Sequence, residues 1–219
     1  MSKSPRAARI DGEVTRARIL EAAGALFGTA GFAETTSKAI AAKAEVDLAS
    51  INYHFGGRDW LYQAVLVEAH RRVLDVTALQ HIAESELPAS EKLRSLFEQL
   101  VPKTMGDANS WHLTVLASEI FAPSSHLQVL MQSEVPIKVS LILGLVAQLT
   151  GIPMGNPALL RCLLSVVAPC LMLLIGQRNI PGPIQEISAL PREETVEHLY
   201  HFALAGLEAA GRRFRAEPG

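Results

Sequence analysis

Aromatic residues are scarce in this chain: they make up 5% of its 219 residues, whereas 49% of the residues are hydrophobic. Sheets are enriched in aromatic and β-branched side chains, so this balance favours an all-α protein built from helices packed on helices. Cysteine is also scarce, with only Cys162 and Cys170 present. Eight positions apart in a helical stretch, they would lie about 12 Å from each other, too far for a disulfide bond within that helix. We interpret them as core thiols of a reducing cytosol, in preference to redox sensors.

The chain lacks a large excess of charge of either sign, since its formal net charge is −2. Binding to nucleic acid would therefore depend on a local patch of the surface. The longest hydrophobic run, Leu163–Ile175, contains Pro169 and falls short of the roughly 20 residues that cross a bilayer. The N-terminus lacks the apolar stretch of a signal peptide. These absences predict a soluble, cytoplasmic protein.

Residues 35–58 have the pattern of two short helices separated by a four-residue break. Hydroxyl groups at Thr35 and Thr36 stand where the first helix needs an N-cap, and Asp47 stands at the corresponding position of the second. Ile51 and Phe55, four residues apart, would be buried on one face of the second helix. Its other face carries short or planar hydrogen-bonding side chains, namely Ser50, Asn52, Tyr53 and His54. This pattern predicts a helix-turn-helix whose second helix enters a groove of DNA.

The remaining segments also have helical periodicity. One helix is predicted at about residues 13–29, with Gly31 as its C-terminal signal, and another at about 57–80. The second would be roughly 35 Å long and would act as a lever between two modules. Further helices are predicted at about 91–103, 111–121, 125–150, 158–177 and 192–215. Pro136 predicts a kink or a split in its helix, and the apolar character of 158–177 predicts a helix buried on all sides.

Residues 15–65 resemble the DNA-binding domain of the TetR (tetracycline repressor) family of bacterial transcription regulators. The matching residues are Arg18 to Ala23, Leu26, Phe27, Gly31, Phe32, Thr35, Thr36, Ile40, Ala41, Ala44, Val46, Tyr53 to Phe55, Arg58, Asp59 and Leu61. Residues 51–58 are similar to a narrower group, the CecR-like regulators, and residues 112–136 and 194–207 resemble that group more weakly. The resemblance implies an all-helical homodimer with a three-helix head and a larger ligand-binding body. It also implies that the helices at 158–177 and 192–215 pair with their copies in a four-helix bundle.

The predicted organisation therefore has three parts and about nine helices. Residues 1–12, with Lys3, Arg6 and Arg9, are expected to be a disordered basic arm, which either reaches DNA phosphates or is a solvated tail. Residues 13–60 would form the helix-turn-helix domain, and residues 61–219 would form a domain for ligand binding and dimerisation.

Together, pattern and resemblance predict a ligand-responsive dimeric regulator, a repressor that releases a palindromic operator when a largely apolar small molecule binds the C-terminal domain. Neither an enzyme activity nor a cofactor is expected. Two departures from the family pattern motivate an alternative, a small-molecule-binding protein that no longer binds DNA. Glu45 stands where the family usually has glycine, and a left-handed residue there costs about 1 kcal/mol unless the turn has a different geometry. Leu48 stands at a lysine-like position and removes one phosphate contact.

DNA contacts divide into those that position the protein and those that read bases. Phosphate contacts are assigned to Thr36, Ser37, Tyr53, His54 and Arg58, the first two at the positive end of their helix. Base contacts are assigned to Ala49, Ser50 and Asn52, since Asn pairs with an adenine edge and an Ala methyl group meets a thymine methyl group. Two alternatives stay open: Tyr53 could form a hydrogen bond inside the domain, and Asn52 could be an exposed polar residue without a DNA contact.

Ligand contacts are assigned, from the resemblance, to Met105, Trp111, His112, Glu119, Phe121 and Met131. His112 and Glu119 are the candidates for the few polar groups of a mainly apolar pocket, although single aromatic and methionine residues at helical spacing are more often part of a core. Glu194, Glu197, His198 and His201 have the i+3 and i+4 spacing of metal-binding bundles. Because the preceding helix offers almost no matching ligands, a polar flank of the dimer helix is the favoured interpretation, and no metal site is expected.

Overall fold

The computed structural model describes residues 5–106, 110–176 and 182–216, and these residues form helices and loops without a strand. The all-α prediction is confirmed. The helical segments are α1 Pro5–Glu34, α2 Ser37–Ala44, α3 Leu48–Phe55, α4 Arg58–Val73, α5 Val76–Glu84, α6 Ala89–Thr104, α7 Trp111–Phe121, α8 Leu127–Thr150, α9 Pro157–Gly176, α10 Pro183–Ser188 and α11 Arg192–Ala216.

The chain divides into two compact units, each with its own core. The head unit comprises the described residues of 1–70 and 109–130, and the body unit comprises those of 71–108 and 131–219. This division differs from the predicted boundary after residue 60, because α7 packs along α1 and so belongs to the head. A side chain on Gly24 would collide with the Trp111 ring, since a Cβ there would lie 2.4 Å from it. The absence of a side chain at Gly24 thus lets α7 approach α1 closely.

The head core is built from one apolar stripe of each of its first four helices. Fully buried side chains include Ile19 of α1, Ile40 of α2, Ile51 of α3 and Leu61 of α4, and α7 adds Val115. Within one helix the buried positions have the spacing that makes a helix amphipathic: Ile19, Ala23 and Phe27 of α1, for example, are each four residues apart. The core fixes the angle between α2 and α3, which carry the candidate DNA-binding surface.

Helix α1 differs from its prediction at its start and agrees with it at Gly31. It begins at Pro5, so residues 5–12 are helical and not a disordered arm; residues 1–4, including Lys3, lie outside the described residues. Alanine and arginine in this stretch are strong helix formers, and proline is well tolerated in the first turn. At the other end, Gly31 adopts φ 79° and ψ 170°, which breaks the helical conformation at the predicted C-terminal signal.

The predicted lever helix at 57–80 is two helices. Helix α4 ends at Val73, and α5 starts after Asp75, whose carboxylate accepts a hydrogen bond from the Ala78 backbone N–H at 3.0 Å. This N-cap stabilises a new helix start and outweighs the continuous apolar periodicity. The 16 residues of α4 therefore span about 24 Å, shorter than predicted.

Proline residues have smaller effects than their positions predict. Helix α8 continues through Pro136 without a split, because a 24-residue helix that loses one backbone hydrogen bond keeps the others. In the proline-rich connector at about 179–191, Pro183 occupies the first turn of the short helix α10, which was not predicted. Residues 177–181 of this connector lie outside the described residues.

The body unit packs α6 against α11 and α9, and α9 against α10 and α11. Contrary to its prediction, α9 is not buried on all sides within one chain: Leu160, Leu164 and Met172 are 58%, 65% and 46% exposed. Helices α8 and α9 are long and apolar enough to cross a membrane by length and composition alone, a test that core helices of soluble proteins also pass. The exposed leucines of α9 are accordingly part of the apolar surface that this unit leaves open, together with Phe202 of α11, which is 75% exposed.

Candidate nucleic-acid interface

Helix α2 begins with the capping arrangement that its sequence predicts. The Thr36 hydroxyl group accepts a hydrogen bond from the Ala39 backbone N–H at 3.1 Å, and Thr35 is buried, with its hydroxyl group donating to the Gly31 carbonyl at 2.8 Å. The exposed Thr36 and the half-buried Ser37 thus lie at the positive end of α2. This geometry is that of an anion-binding helix start.

The turn between α2 and α3 has a left-handed residue at Glu45, with φ 53° and ψ 51°. Among the described residues other than glycine, Glu45 alone has a positive φ. Of the two turn geometries left open by the sequence, the structure therefore has the left-handed one, despite its cost of about 1 kcal/mol. The turn closes with two backbone hydrogen bonds, from Glu45 to Ala42 at 3.2 Å and from Val46 to Ala41 at 3.0 Å.

Arg18 of α1 holds this turn from the side. Its guanidinium group donates to the carbonyl oxygens of Ala44 at 2.5 Å and Glu45 at 3.2 Å, and lies 3.4 Å from the Glu45 carboxylate. Cationic donors at the C-terminus of a helix satisfy its free carbonyl groups and favour its dipole. Arg18 thereby offsets part of the strain at Glu45 and fixes the direction in which α3 leaves the turn.

Helix α3 has one buried face and one exposed face. Ile51 is fully buried, and Phe55 packs partly against the head core with the Arg16 guanidinium group 4.8 Å from its ring centroid. On the outward face, Tyr53 is 85% exposed, and Ala49 and Asn52 are exposed as well. Ser50 and His54 are half-buried. The helix thus presents the planar and hydroxyl-bearing side chains that a DNA groove can accept.

Arg58, at the start of α4, is anchored next to the α2 N-cap. It donates a hydrogen bond to the Thr35 carbonyl at 2.9 Å, and its guanidinium carbon lies 4.3 Å from the Phe32 ring centroid. Because a guanidinium group has five N–H donors, one bond to Thr35 leaves others for a phosphate. Arg58 and Thr36 therefore form a common candidate site for the DNA backbone.

Behind this surface, the head contains a buried polar cluster. Glu119 of α7 is 3% exposed, and its carboxylate accepts hydrogen bonds from the Tyr62 hydroxyl group at 2.7 Å and from the Ser124 backbone N–H at 2.9 Å and hydroxyl group at 2.8 Å. Burial, followed by the hydrogen bond to Glu119, raises the pKa of Tyr62 well above its ordinary value. Tyr62 therefore stays protonated and donates to the carboxylate.

The residues assigned as ligand contacts belong partly to the head unit and partly to the body unit. In the head unit, Trp111 donates from its indole Nε1 to the Glu21 carboxylate at 2.8 Å, His112 lies edge-on to Trp111, and Phe121 is 55% exposed. In the body unit, Met105 is buried at the end of α6 and Met131 is 52% exposed. Their assignment as ligand contacts stays a prediction.

The described residues of the body unit line several cavities. A groove of about 740 Å³ runs between α9 and α11, and a mainly apolar cavity of about 610 Å³ lies among α9, α10 and α11. A small cavity of about 140 Å³ is lined from α5, α6 and α8. The six assigned ligand residues line none of the three, whereas Glu194 and His198 border the 610 Å³ cavity.

The carboxylate and histidine residues of α11 make ordinary surface pairs. Glu197 pairs with Arg94 of α6, whose guanidinium group lies 4.0 Å from the Tyr200 ring centroid, and with His201 at 3.3 Å. Within the part of the chain that the structure describes, no group of three or more His, Cys, Asp or Glu side chains is placed to hold a metal ion. Arg94 instead ties α6 to α11.

The fold and this surface define a class of protein: an all-helical regulator with a helix-turn-helix head. The family description "Bacterial regulatory proteins, tetR family" matches residues 19–65, and "HTH-type transcriptional dual regulator CecR, C-terminal domain" matches residues 89–207. The chain therefore belongs to the TetR family of bacterial transcriptional regulators and has a CecR-like C-terminal domain. Regulators of this family are soluble proteins that bind operator DNA and dimerise.

Solved structures support the same fold. A protein assigned as a transcriptional regulator from Pseudomonas aeruginosa PAO1 is 21% identical with a TM-score of 0.71, covering 91% of this chain and 93% of that one. The fatty acid degradation regulator FadR from Bacillus halodurans is 14% identical with a TM-score of 0.67, covering 87% and 98%. The TetR-family regulator PfmR from Thermus thermophilus is 20% identical with a TM-score of 0.59, covering 86% and 97%. No curated protein sequence matches the chain.

Two features of the site could not be read from local sequence. Arg18 lies 26 residues before the carbonyl group that it caps, and Glu119 lies 57 residues after its partner Tyr62. Arg18 and Ala44 both belong to the pattern that resembles the family, but nothing in that pattern indicates that the two are in contact. Contacts at such separations depend on tertiary packing.

Proposed function

We propose that the protein is a dimeric repressor that binds a palindromic operator and releases it when a small molecule binds the body unit. The observation that carries the DNA-binding part is the outward face of α3, where Asn52 and Tyr53 are exposed beside the phosphate-binding candidates Thr36 and Arg58. Asn52 with Ser50 and Ala49 would read base edges, and Ser37, Tyr53 and His54 would join the phosphate contacts.

Dimerisation is proposed to use α9 and α11, the helices to which the sequence assigned this role. Leu160 and Leu164 of α9 and Phe202 of α11 are 58%, 65% and 75% exposed, and large exposed apolar side chains on two helices that pack together are the kind of surface that a second chain covers. The 740 Å³ groove between the two helices is lined by the small residues Ala203 and Gly206, which allow another helix to approach. A second copy of the chain, packed on this surface, would bury both the exposed apolar side chains and the groove. Such a dimer would place two copies of α3 in successive major grooves, about 34–36 Å apart.

The effector is proposed to be largely apolar with a polar group. The 610 Å³ cavity has a volume typical of small-molecule sites. Its apolar lining comes from residues such as Met172, Leu173 and Ile184, and its polar groups are the Glu194 carboxylate and the His198 imidazole. We infer that a bound molecule favours a conformer of lower operator affinity. The six residues assigned from the resemblance are the competing proposal for this site.

These roles require no catalytic chemistry, and the family and the fold are those of transcriptional regulators. We propose a cytoplasmic location, where operator DNA and the reducing environment for Cys162 and Cys170 are both present.

The test is binding to DNA fragments from upstream of the protein's own gene, measured by mobility shift between about 50 and 200 mM salt. We expect one shifted dimer complex whose affinity falls steeply with salt, because phosphate contacts release counterions. A fragment of the same length and composition with a scrambled palindrome is the control. Equal affinity for the two fragments, or binding that does not depend on salt, would rule out the operator-binding role.

A further inference from the structure

We propose that His126, with Ser124 and Glu119, positions Arg58 for its contact with the DNA backbone. These are residues of α7 and the loop that follows it, distant in sequence from the helix-turn-helix. The inference rests on the proposed phosphate contact of Arg58 and adds the residues that hold Arg58 ready for it. It identifies the α7–α8 corner as a control point for operator affinity.

The first step is the anchoring of the corner at Glu119. Its buried carboxylate accepts from the Ser124 backbone N–H and from the Ser124 hydroxyl group, so it folds residues 122–124 back onto the end of α7. A buried carboxylate is tolerated only when its oxygens are hydrogen-bonded. Tyr62 completes the set at 2.7 Å and ties the corner to α4. The loop therefore has one well-defined position against α4.

The second step is the placement of the His126 ring. Its centroid lies 4.7 Å from the Phe32 ring centroid and 5.3 Å from that of Tyr62. Its Nε2 lies 3.2 Å from the Asp59 carboxylate, while its buried Nδ1 has no hydrogen-bond partner. The His126 ring is thus held by packing on two aromatic rings and by one polar contact, although its Nδ1 makes no hydrogen bond. An imidazole kept in such a place points to a role for the Asp59 contact.

The third step links this ring to Arg58. His126 and the Arg58 guanidinium group both contact the Phe32 ring, at 4.7 and 4.3 Å, and His126 also contacts Asp59, the residue next to Arg58. Arg58 in turn donates to the Thr35 carbonyl, immediately before the α2 N-cap Thr36. Loss of the His126 contact frees the first turn of α4, so Arg58 no longer stays next to Thr36. The expected result is a weaker charge-assisted contact between Arg58 and the DNA phosphate.

The experiment measures operator affinity by fluorescence anisotropy from about 50 to 200 mM salt. His126→Leu keeps an apolar side chain against Phe32 and Tyr62 but removes the donor to Asp59. His126→Gln restores a donor near the position of Nε2. Arg58→Gln removes the charge, and the double variant Arg58→Gln with His126→Leu tests whether the two residues act together. His81→Leu, at an exposed histidine of α5, is the matched control.

We expect His126→Leu and Arg58→Gln each to reduce the slope of log affinity against log salt by about two, one phosphate contact in each half-site of the dimer. The double variant should lose no more than either single variant, and His126→Gln should recover most of the slope. A purely structural role would lower the fraction of active protein, measured by titration at high concentration, and leave the slope unchanged.

Three results would overturn the inference. His126→Leu could keep the wild-type slope while Arg58→Gln reduces it, which leaves the proposed function intact. The reductions in slope caused by Arg58→Gln and His126→Leu could add in the double variant. This result would also overturn the inference and leave the proposed function intact. Arg58→Gln could leave the slope unchanged. This result would show that Arg58 does not contact a phosphate, and the inference would fail with that part of the proposed function. If His126→Leu fails to fold in a thermal melt, Ser124→Ala and Asp59→Asn test the same connection and carry the same expectations.

Discussion

Helices α3 and α9 satisfy their side chains in opposite ways. In α3 the apolar residue Ile51 is buried by the same chain, and the exposed side carries the polar groups of Asn52 and Tyr53, although Leu48 in its first turn is also 52% exposed. In α9 the chain buries Leu159, Val166 and Leu173 but leaves leucines 58% and 65% exposed at positions 160 and 164. A folded chain that leaves polar groups outward is ready for a polar partner, whereas exposed leucines in a row require an apolar one. The molecule therefore has two surfaces that differ in the partner they can bind: the outward face of α3 suits a polar partner, and the exposed leucines of α9 suit an apolar one.

The largest expected effect comes from charging the apolar surface. Leu164→Asp would bury an unpaired carboxylate in each copy of the proposed dimer, which costs about 3 kcal/mol or more per copy and so weakens the dimer by about ten-thousandfold or more. Sedimentation velocity should then show a monomer, and operator binding should be lost with it. The control is Leu87→Asp, at a leucine that is 48% exposed between α5 and α6. A variant at position 164 that stays dimeric would exclude α9 from the interface.

On the polar surface, the sharpest test is Asn52→Ala. If Asn52 pairs with a base edge, its loss should cost about 1–3 kcal/mol in operator affinity and relax the preference at one position of each half-site. Affinities for operators with every base at each position give both quantities. Gln80→Ala, at an exposed position of α5, controls for surface polarity. Unchanged affinity and unchanged preference would mean that Asn52 is only an exposed polar residue.

A third prediction concerns the buried side of α9. Burial raises the pKa of Cys170 from 9.0 to about 12. The unfolded chain loses this proton at lower pH than the folded chain, so the thiol's contribution to stability is complete below about pH 9 and is lost between pH 9 and about 12. Between about pH 8 and 10 the wild type should therefore lose about 1 kcal/mol more stability than Cys170→Ala. Denaturant melts at both pH values measure the free energy of unfolding of the two proteins. Equal losses of stability in the wild type and in Cys170→Ala would mean that the thiol is in contact with water.

The smallest effect is expected at the turn before α3. Glu45→Gly removes the left-handed strain and should stabilise the head by on the order of 1 kcal/mol. The exposed ion pair with Arg18 that it also removes contributes little. A thermal melt measures the difference, with Glu98→Gly in the regular helix α6 as a control that should destabilise. A loss of stability in Glu45→Gly would show that the contact with Arg18 outweighs the strain.

Local patterns predicted α3 well because its determinants are local: Ile51 points inward, Tyr53 points outward, and Asp47 occupies the N-cap position, although its side chain makes no capping hydrogen bond. The break between α4 and α5 also had a local signal, the capping residue Asp75, but an uninterrupted apolar stripe masked it. The apolar sequence of α9 predicted burial on all sides, whereas one chain buries only part of the helix, since periodicity cannot distinguish a neighbouring helix from a second chain.

Other features depended on distance along the chain. The assignment of α7 to the head follows from its packing on α1, and the cluster around Glu119 joins it to Tyr62, 57 positions earlier. No local signal in a single sequence encodes such pairs. The same limit applies to Trp111, which the resemblance assigns as a ligand contact: no local signal indicates that its ring packs on Gly24 and that its indole N–H donates to Glu21.

The packing of Trp111 on Gly24 affects the order in which the head unit can fold during synthesis. Trp111 leaves the ribosome much later in synthesis than Gly24, and with it come Val115 and the rest of the helix that covers α1. During synthesis the core of the first four helices therefore stays partly exposed to solvent until α7 has left the ribosome. The operator-binding motif is complete as a sequence long before it is complete as a structure, so an interrupted translation product would carry the motif without the support that makes it rigid.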